Sequence, residues 1–299
     1  MKIVFLTVLL LQTLSHSAEI SFTMDDPEVT DSPLLSPSER NTKILAAFDK
    51  FNIKGALFVC GMRVDNPVGK ELLKSWDDKG HAIANHSYSH LYFNSKKITF
   101  ETYKEDFLKV EPQIAGLKNF TKIYRFPFLK EGDTKEKRDQ MRTLLKEKGY
   151  HQGYVTIDAS DWYVDERMRT RLVKDAKADL KPYRDFYLKH MWSRAEFYND
   201  LAKKVYGKEV KNTILVHHSL LNALFLVDLM QMFKDKGWKL ISASEAFKDP
   251  VFQLQPNILP AGESLVWASA KETGNYEKLL RYPGEDGDFE KEEMDKLGL

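Results

Sequence analysis

The sequence predicts an α/β protein, a parallel sheet covered by helices and rolled into a closed or nearly closed (β/α) barrel of about seven strands. Three observations carry that expectation. Short apolar runs alternate with longer amphipathic stretches, an order that favours parallel strands joined by helices. Roughly seven such units span about 230 residues, which suits a barrel. No glycine-rich phosphate loop follows the first apolar run, which disfavours an open doubly wound sheet.

The chain has 299 residues, 42% apolar and 30% charged, so it can bury a real core. A formal net charge of +1 gives no electrostatic case for nucleic acid or an anionic membrane surface. Residues 1–18 read as a signal peptide: Lys2 precedes an apolar run from Ile3 to Leu11, and Ser15, Ser17 and Ala18 offer small residues for cleavage. An N-terminal strand or buried helix is the alternative. That run is too short to span a bilayer, and no later run of ~20 apolar residues follows. The expectation is an exported protein, periplasmic or extracellular, with no membrane span. The lone cysteine, Cys60, can form no internal disulfide and reads as a small core residue. Nothing in the sequence identifies a protein partner.

Taken in order, Glu19 to Met24 alternates as a strand and ends in Asp25-Asp26-Pro27, because Pro27 cannot continue a central strand. Ser38 to Phe51 has a helical apolar face. Ala56 to Val59 is a second strand, Glu71 to Lys79 a helix stopped by Gly80, and His81 to Asn85 a third strand. Phe100 to Leu117 is helical but broken or kinked by Pro112. Lys122 to Phe126 is a fourth strand, Thr134 to Lys148 a helix, and Gly153 to Ile157 a fifth strand. Arg167 to Tyr206 is charged and mostly helical, interrupted at Pro182. Thr213 to Val216, the helix Leu221 to Lys236 and Trp238 to Ile241 complete the pattern. The barrel thus covers residues 19–250, with a helical insertion at 163–211 and a C-terminal extension at 251–299. Within that extension, Glu285 to Lys296 is acidic and reads as a loose tail. The aromatics of the insertion, among them Tyr183, Phe186, Trp192 and Tyr198, admit two readings: a sugar-stacking lid, or packing on the barrel at helical spacing.

Barrel enzymes collect their chemistry at the C-terminal strand ends. Here those ends carry Asp25-Asp26, His86 and His90, Arg125-Phe126-Pro127-Phe128, Asp158 to Trp162, and His217-His218. His86 and His90 are four residues apart, and one helical turn would bring both imidazoles to one point. Two histidines and one carboxylate make a three-ligand divalent metal site with open positions, as zinc and non-haem iron use. Of two adjacent aspartates, one can hold the metal while the other takes a proton from the attacking water. A histidine from another strand, held by an aspartate, can protonate a leaving group. The combination describes amide or ester hydrolysis.

Thr23-Met24-Asp25-Asp26, His86-Ser87-Tyr88-Ser89-His90, Arg125 to Phe128, Asp158 to Trp162 and Leu215-Val216-His217 resemble the five ordered motifs of the polysaccharide deacetylases, the NodB-homology group of carbohydrate esterase family 4. The resemblance implies a distorted, TIM-like barrel and a divalent metal, zinc by preference, with cobalt or nickel as alternatives. It implies Asp26, His86 and His90 as ligands and Asp25 as the base. Arg125 would orient that base, and the Phe128 backbone N–H would stabilise the oxyanion. His217, paired with Asp161, would be the acid, while Trp162 and Leu215 would wall the acetyl pocket. The implied activity is hydrolysis of N-acetyl groups on a glycan. Hydrolysis of another non-peptide C–N amide bond, or carbohydrate binding without catalysis, are the alternatives. Two positions depart from the motifs, Met24 and Pro27, and His218 directly after His217 leaves open which imidazole is the acid.

Overall fold

The computed structural model describes residues 17–299, so the expected leader falls almost entirely outside them. Strands β1 (Glu19–Asp25), β2 (Ala56–Val59), β3 (Ala82–Asn85) and β4 (Phe120–Tyr124) form the middle of one parallel sheet. Short β5 (Lys130–Gly132) stands apart from it, and β6 (His151–Gln152) and β7 (Lys211–His217) are its two edges. Its order is β6-β4-β3-β2-β1-β7, and β8 (Lys239–Leu240) pairs the start of β1. β9 (Ala261–Gly262) pairs antiparallel with β5. The expected parallel barrel is what forms.

Its closure differs from expectation. Gly153 to Ile157 is not a regular strand. The Gly153 N–H still bonds the Tyr124 carbonyl at 2.6 Å, while Leu215 N–H bonds the Ile157 carbonyl at 3.2 Å and Ile157 bridges Ile214. One irregular segment therefore switches partners from β4 to β7 and joins the two edges. Gly153 is required there: a Cβ on it would lie 2.5 Å from the Phe58 ring.

Helices α1 (Pro37–Lys50), α2 (Gly61–Val64), α3 (Pro67–Asp78), α4 (Phe100–Leu108), α5 (Glu111–Ile114) and α6 (Lys135–Glu147) cover the first half. Ser36 and Glu39 form a reciprocal capping box on α1. The predicted break at Pro112 falls at the start of α5, where a missing N–H costs nothing. Helix α7 (Asp161–Lys174) begins six residues before the charged stretch that announced it, and α8 (Lys181–Tyr206) follows. On α8, Tyr183, Phe186, Tyr187, Met191 and Tyr198 are buried at three- and four-residue spacing in the main core, and Trp192 and Phe197 pack against it. That spacing is a core face, and the lid reading is set aside.

Helices α9 (Leu220–Asp235), α10 (Ala243–Ala246), α11 (Leu265–Thr273) and α12 (Asp288–Leu297) complete the chain. The loose-tail expectation for Glu285 to Lys296 does not hold. Arg194 of α8 pairs with Glu285, Arg281 reaches Glu285 at 3.1 Å and Glu290 at 2.9 Å, and Met294 is fully buried. Acidic composition misleads here because Arg194, which neutralises Glu285, is 91 residues away in sequence. Among the described residues no helix is long and apolar enough to cross a membrane.

Candidate active site

Register assembles the site. Asp25, the last residue of β1, lies opposite Phe58 of β2 and His217 of β7, and Asn85 of β3 lies opposite Tyr124 of β4. The next residues, Asp26, His86 and Arg125, therefore emerge together at one mouth of the barrel. They open into a cleft of about 660 Å³.

Asp26, His86 and His90 place one ligand atom each within 4.8 Å of one another. The histidines do not meet on a helical turn, as four-residue spacing suggested. They sit in a loop after β3, with Ser87 at φ 66° and His90 at φ 56°. Side chains hold those left-handed residues. Asn85 accepts the Ser87 N–H at 2.8 Å, Ser87 accepts the His90 N–H at 3.1 Å, and the Asp106 carboxylate accepts the N–H groups of Tyr88 and Ser89 at 3.0 Å. Asp106 escaped sequence reading; its one signal is a carboxylate on the buried face of α4. Asp26 itself has φ 56°. Such a cluster of strained non-glycine residues is usual where a site is held in a fixed geometry.

The donor set fits a divalent cation. His86 Nδ1 lies 2.8 Å from the Arg125 carbonyl and must carry the hydrogen, which leaves Nε2 with a free lone pair. His90 Nε2 lies 3.3 Å from the Asp26 carboxylate. Burial pulls the His90 pKa to about 4 against the attraction of Asp26, so the imidazole is neutral at pH 7. Burial alone would raise the Asp26 pKa, but His90, His86 and Arg63 hold it below the usual range. Asp26 Oδ1 is buried without a hydrogen-bond partner. Arg63 Nε stands 3.5 Å from that oxygen as an ion-pair partner without hydrogen-bonding it, so a lone pair remains for a bound cation.

Asp25 is 2% exposed and pairs with the guanidinium of Arg125. Arg125 is fixed on every side: Nε donates to the Gly153 carbonyl at 2.8 Å, Nη2 donates to Thr23 Oγ1 at 2.8 Å, and the Phe58 ring lies 3.7 Å from Cζ. On the other flank, His217 Nδ1 lies 2.7 Å from Asp161, which also accepts the His217 backbone N–H at 2.8 Å. Asp161 is held in turn by Asn222 Nδ2 at 2.8 Å, and Tyr187 of α8 donates to that amide oxygen at 2.6 Å. His218 faces the other way. Its Nδ1 accepts the Glu28 N–H at 3.2 Å, and its Nε2 lies 3.2 Å from Asn41.

Leu215 and Trp162 line the cleft, Leu215 buried and Trp162 41% exposed. Phe128 stands at the rim with its ring 4.5 Å from His90 and 5.4 Å from Tyr92. Sequence reading missed Tyr92, Arg63, Lys130 and Glu263, which also line the cleft. Arg63 lies 3.5 Å from Asp26 and 3.6 Å from Glu28.

The polysaccharide deacetylase family profile matches residues 15–153. The matched stretch is just under half of the chain, which is similar to that family over those residues. The matched region contains the first three motifs, and the structure carries the last two into the same cleft. A peptidoglycan-N-acetylglucosamine deacetylase of Bacillus cereus is 26% identical over 149 residues, 49% of this chain and 47% of that protein. The match thus spans about half the length of that curated relative. Among solved structures, a chitin deacetylase of Colletotrichum lindemuthianum superposes with TM-score 0.53 at 16% identity, covering 78% of this chain and 88% of that one. A Bacillus anthracis pseudoenzyme of carbohydrate esterase family 4 gives TM-score 0.53 at 16% identity, covering 77% and 66%. At such identities the likeness is one of fold. The pseudoenzyme shows that this fold and catalysis can part company.

Proposed function

We propose that this chain is a polysaccharide deacetylase, an exported, metal-dependent enzyme that hydrolyses the N-acetyl amide of a glycan. One observation carries the reading. An Arg-held carboxylate, Asp25, and an Asp-held imidazole, His217, are register partners on neighbouring strands beside the Asp26–His86–His90 set. Carbohydrate binding alone requires neither a buried base nor a clamped acid, which argues against an inactive relative.

Asp26, His86 and His90 would hold the cation, zinc by preference, with cobalt or nickel as substitutes. When bound, it supplies Lewis-acid polarisation and acidifies an attacking water. Asp25 takes the proton of that water, and Arg125 keeps its carboxylate aimed. The Phe128 backbone N–H donates to the oxygen that gains charge at the acetyl carbon. His217, charged and pinned by Asp161, gives a proton to the departing amine. Trp162 and Leu215 form the wall against the acetyl methyl. Exposed rings of Tyr92, Phe128 and Trp162 around the mouth suit the apolar faces of sugar rings.

The direct test is acetate release from chitin oligomers, peptidoglycan and an N-acetylated exopolysaccharide, with and without chelator. Release that is abolished by chelator and restored by zinc is expected. Hydrolysis confined to small non-sugar amides would replace the glycan reading with the alternative substrate class. His86→Ala should drop zinc content from stoichiometric to background after dialysis, measured by elemental analysis. Retention of the full zinc load would remove His86 from the ligand set.

A further inference from the structure

Residues 126–130 follow β4 and carry an unusual backbone. Phe128 and Leu129 are consecutive non-glycine residues at φ 56°. Isolated, such a pair would relax to ordinary conformations, so something outside must hold it. The holder comes from the far end of the chain. The Glu263 N–H donates to the Leu129 carbonyl at 2.8 Å, and β9 pairs Gly262 with Lys130. Gly262 has φ 126°, and a Cβ built on it would lie 2.0 Å from the Leu129 oxygen. No other residue permits that approach. The Glu263 carboxylate forms an ion pair with Lys130 in which both side chains are about nine-tenths buried. Gly284 packs on the same carboxylate, and Leu265 N–H anchors the segment to Val155 of the barrel closure at 2.8 Å.

We propose that Gly262 and Glu263 are positioning residues for the reaction. Through Leu129 and Lys130 they lock the backbone that presents Phe128 at the cleft. Gly262 and Glu263 lie outside the stretch that matches the family profile. The inference rests on the deacetylase reading for its catalytic half only.

Two readouts on full-length protein test it. Gly262→Ala should lower kcat on an N-acetylated chitooligosaccharide by roughly 10- to 100-fold, because a misplacement near 1 Å costs about that much. KM and zinc content should stay at wild-type levels. In the same variant, hydrogen–deuterium exchange of the peptide covering residues 126–132 should accelerate, with exchange in β1 and β7 unchanged. If Gly262→Ala does not fold, Lys130→Met replaces it, and Lys130→Arg should restore most of the lost kcat. A kcat within twofold of wild type overturns the proposal, and so does a fall in kcat without faster exchange at 126–132. If the wild type releases no acetate from any glycan, the deacetylase reading fails, and the exchange result alone decides whether Gly262 and Glu263 hold the loop.

Discussion

Asp25→Asn is expected to cut kcat for acetate release by roughly 10²- to 10⁴-fold, the span associated with a positioned proton acceptor. The substitution keeps the shape of the side chain and removes its basicity. Zinc should still bind, because the proposed ligands are the neighbouring Asp26 and the two histidines. Stability should fall as well. Arg125 is fully enclosed and Asp25 is its charged partner, so neutralising one leaves a buried cation uncompensated. Melting temperature must therefore be followed beside activity, and kcat compared below the onset of unfolding. A folded, zinc-loaded Asp25→Asn within tenfold of wild type would end the assignment of Asp25 as base. Loss of zinc in that variant would instead make Asp25 part of the ligand set, for which His86 Nε2 at 3.6 Å from its carboxylate is the structural motive.

The barrel was legible because each strand is a short apolar run ended by an obvious breaker. Pro27 after Asp26 and Pro127 after Phe126 mark, in the sequence itself, the functional residues as strand ends. Strand register does the rest, since β1 and β7 end level with one another and β2 ends one residue beyond them. The stretch from Gly153 to Ile157 was half legible. Its composition is that of a strand, but its partner switch depends on Tyr124 and Thr213, which nothing local announces. The His86–His90 pair showed the reverse problem. Residue types and spacing pointed to a shared metal, yet the turn joining them is left-handed and held by Asn85 and Asp106 rather than helical. Least legible was the C-terminal extension. A two-residue strand has no period, so Ala261–Gly262 leaves no pattern, and the acidic residues near 285–290 look solvated until Arg194 and Arg281 are placed beside them. The aromatic run in α8 was ambiguous because a lid and a core face share one spacing; burial decides between them.

His217→Ala should reduce kcat far more than His218→Ala, by roughly 10²-fold or more for loss of a general acid. The two neighbours differ in environment rather than in type. Burial opposes charge on both. At His217 the attraction of Asp161, with Asp25 and Asp26 beyond it, overrides burial and lifts the pKa to about 9. At His218 burial prevails, helped by Arg40, and the pKa falls to about 3. His217 thus holds a proton to give at neutral pH, and His218 has none. Asp161→Asn separates this account from a purely structural one. An acid works only while protonated, so the rate falls as pH rises through its pKa. Removing Asp161 takes away the largest attraction and leaves burial, so the alkaline limb of the kcat–pH profile must move to lower pH. A bound cation sets the absolute position of that limb in both proteins, but not the direction of the difference between them. An unchanged or upward-shifted limb in folded Asp161→Asn would remove His217 as the proton donor, and equal losses in His217→Ala and His218→Ala would do the same.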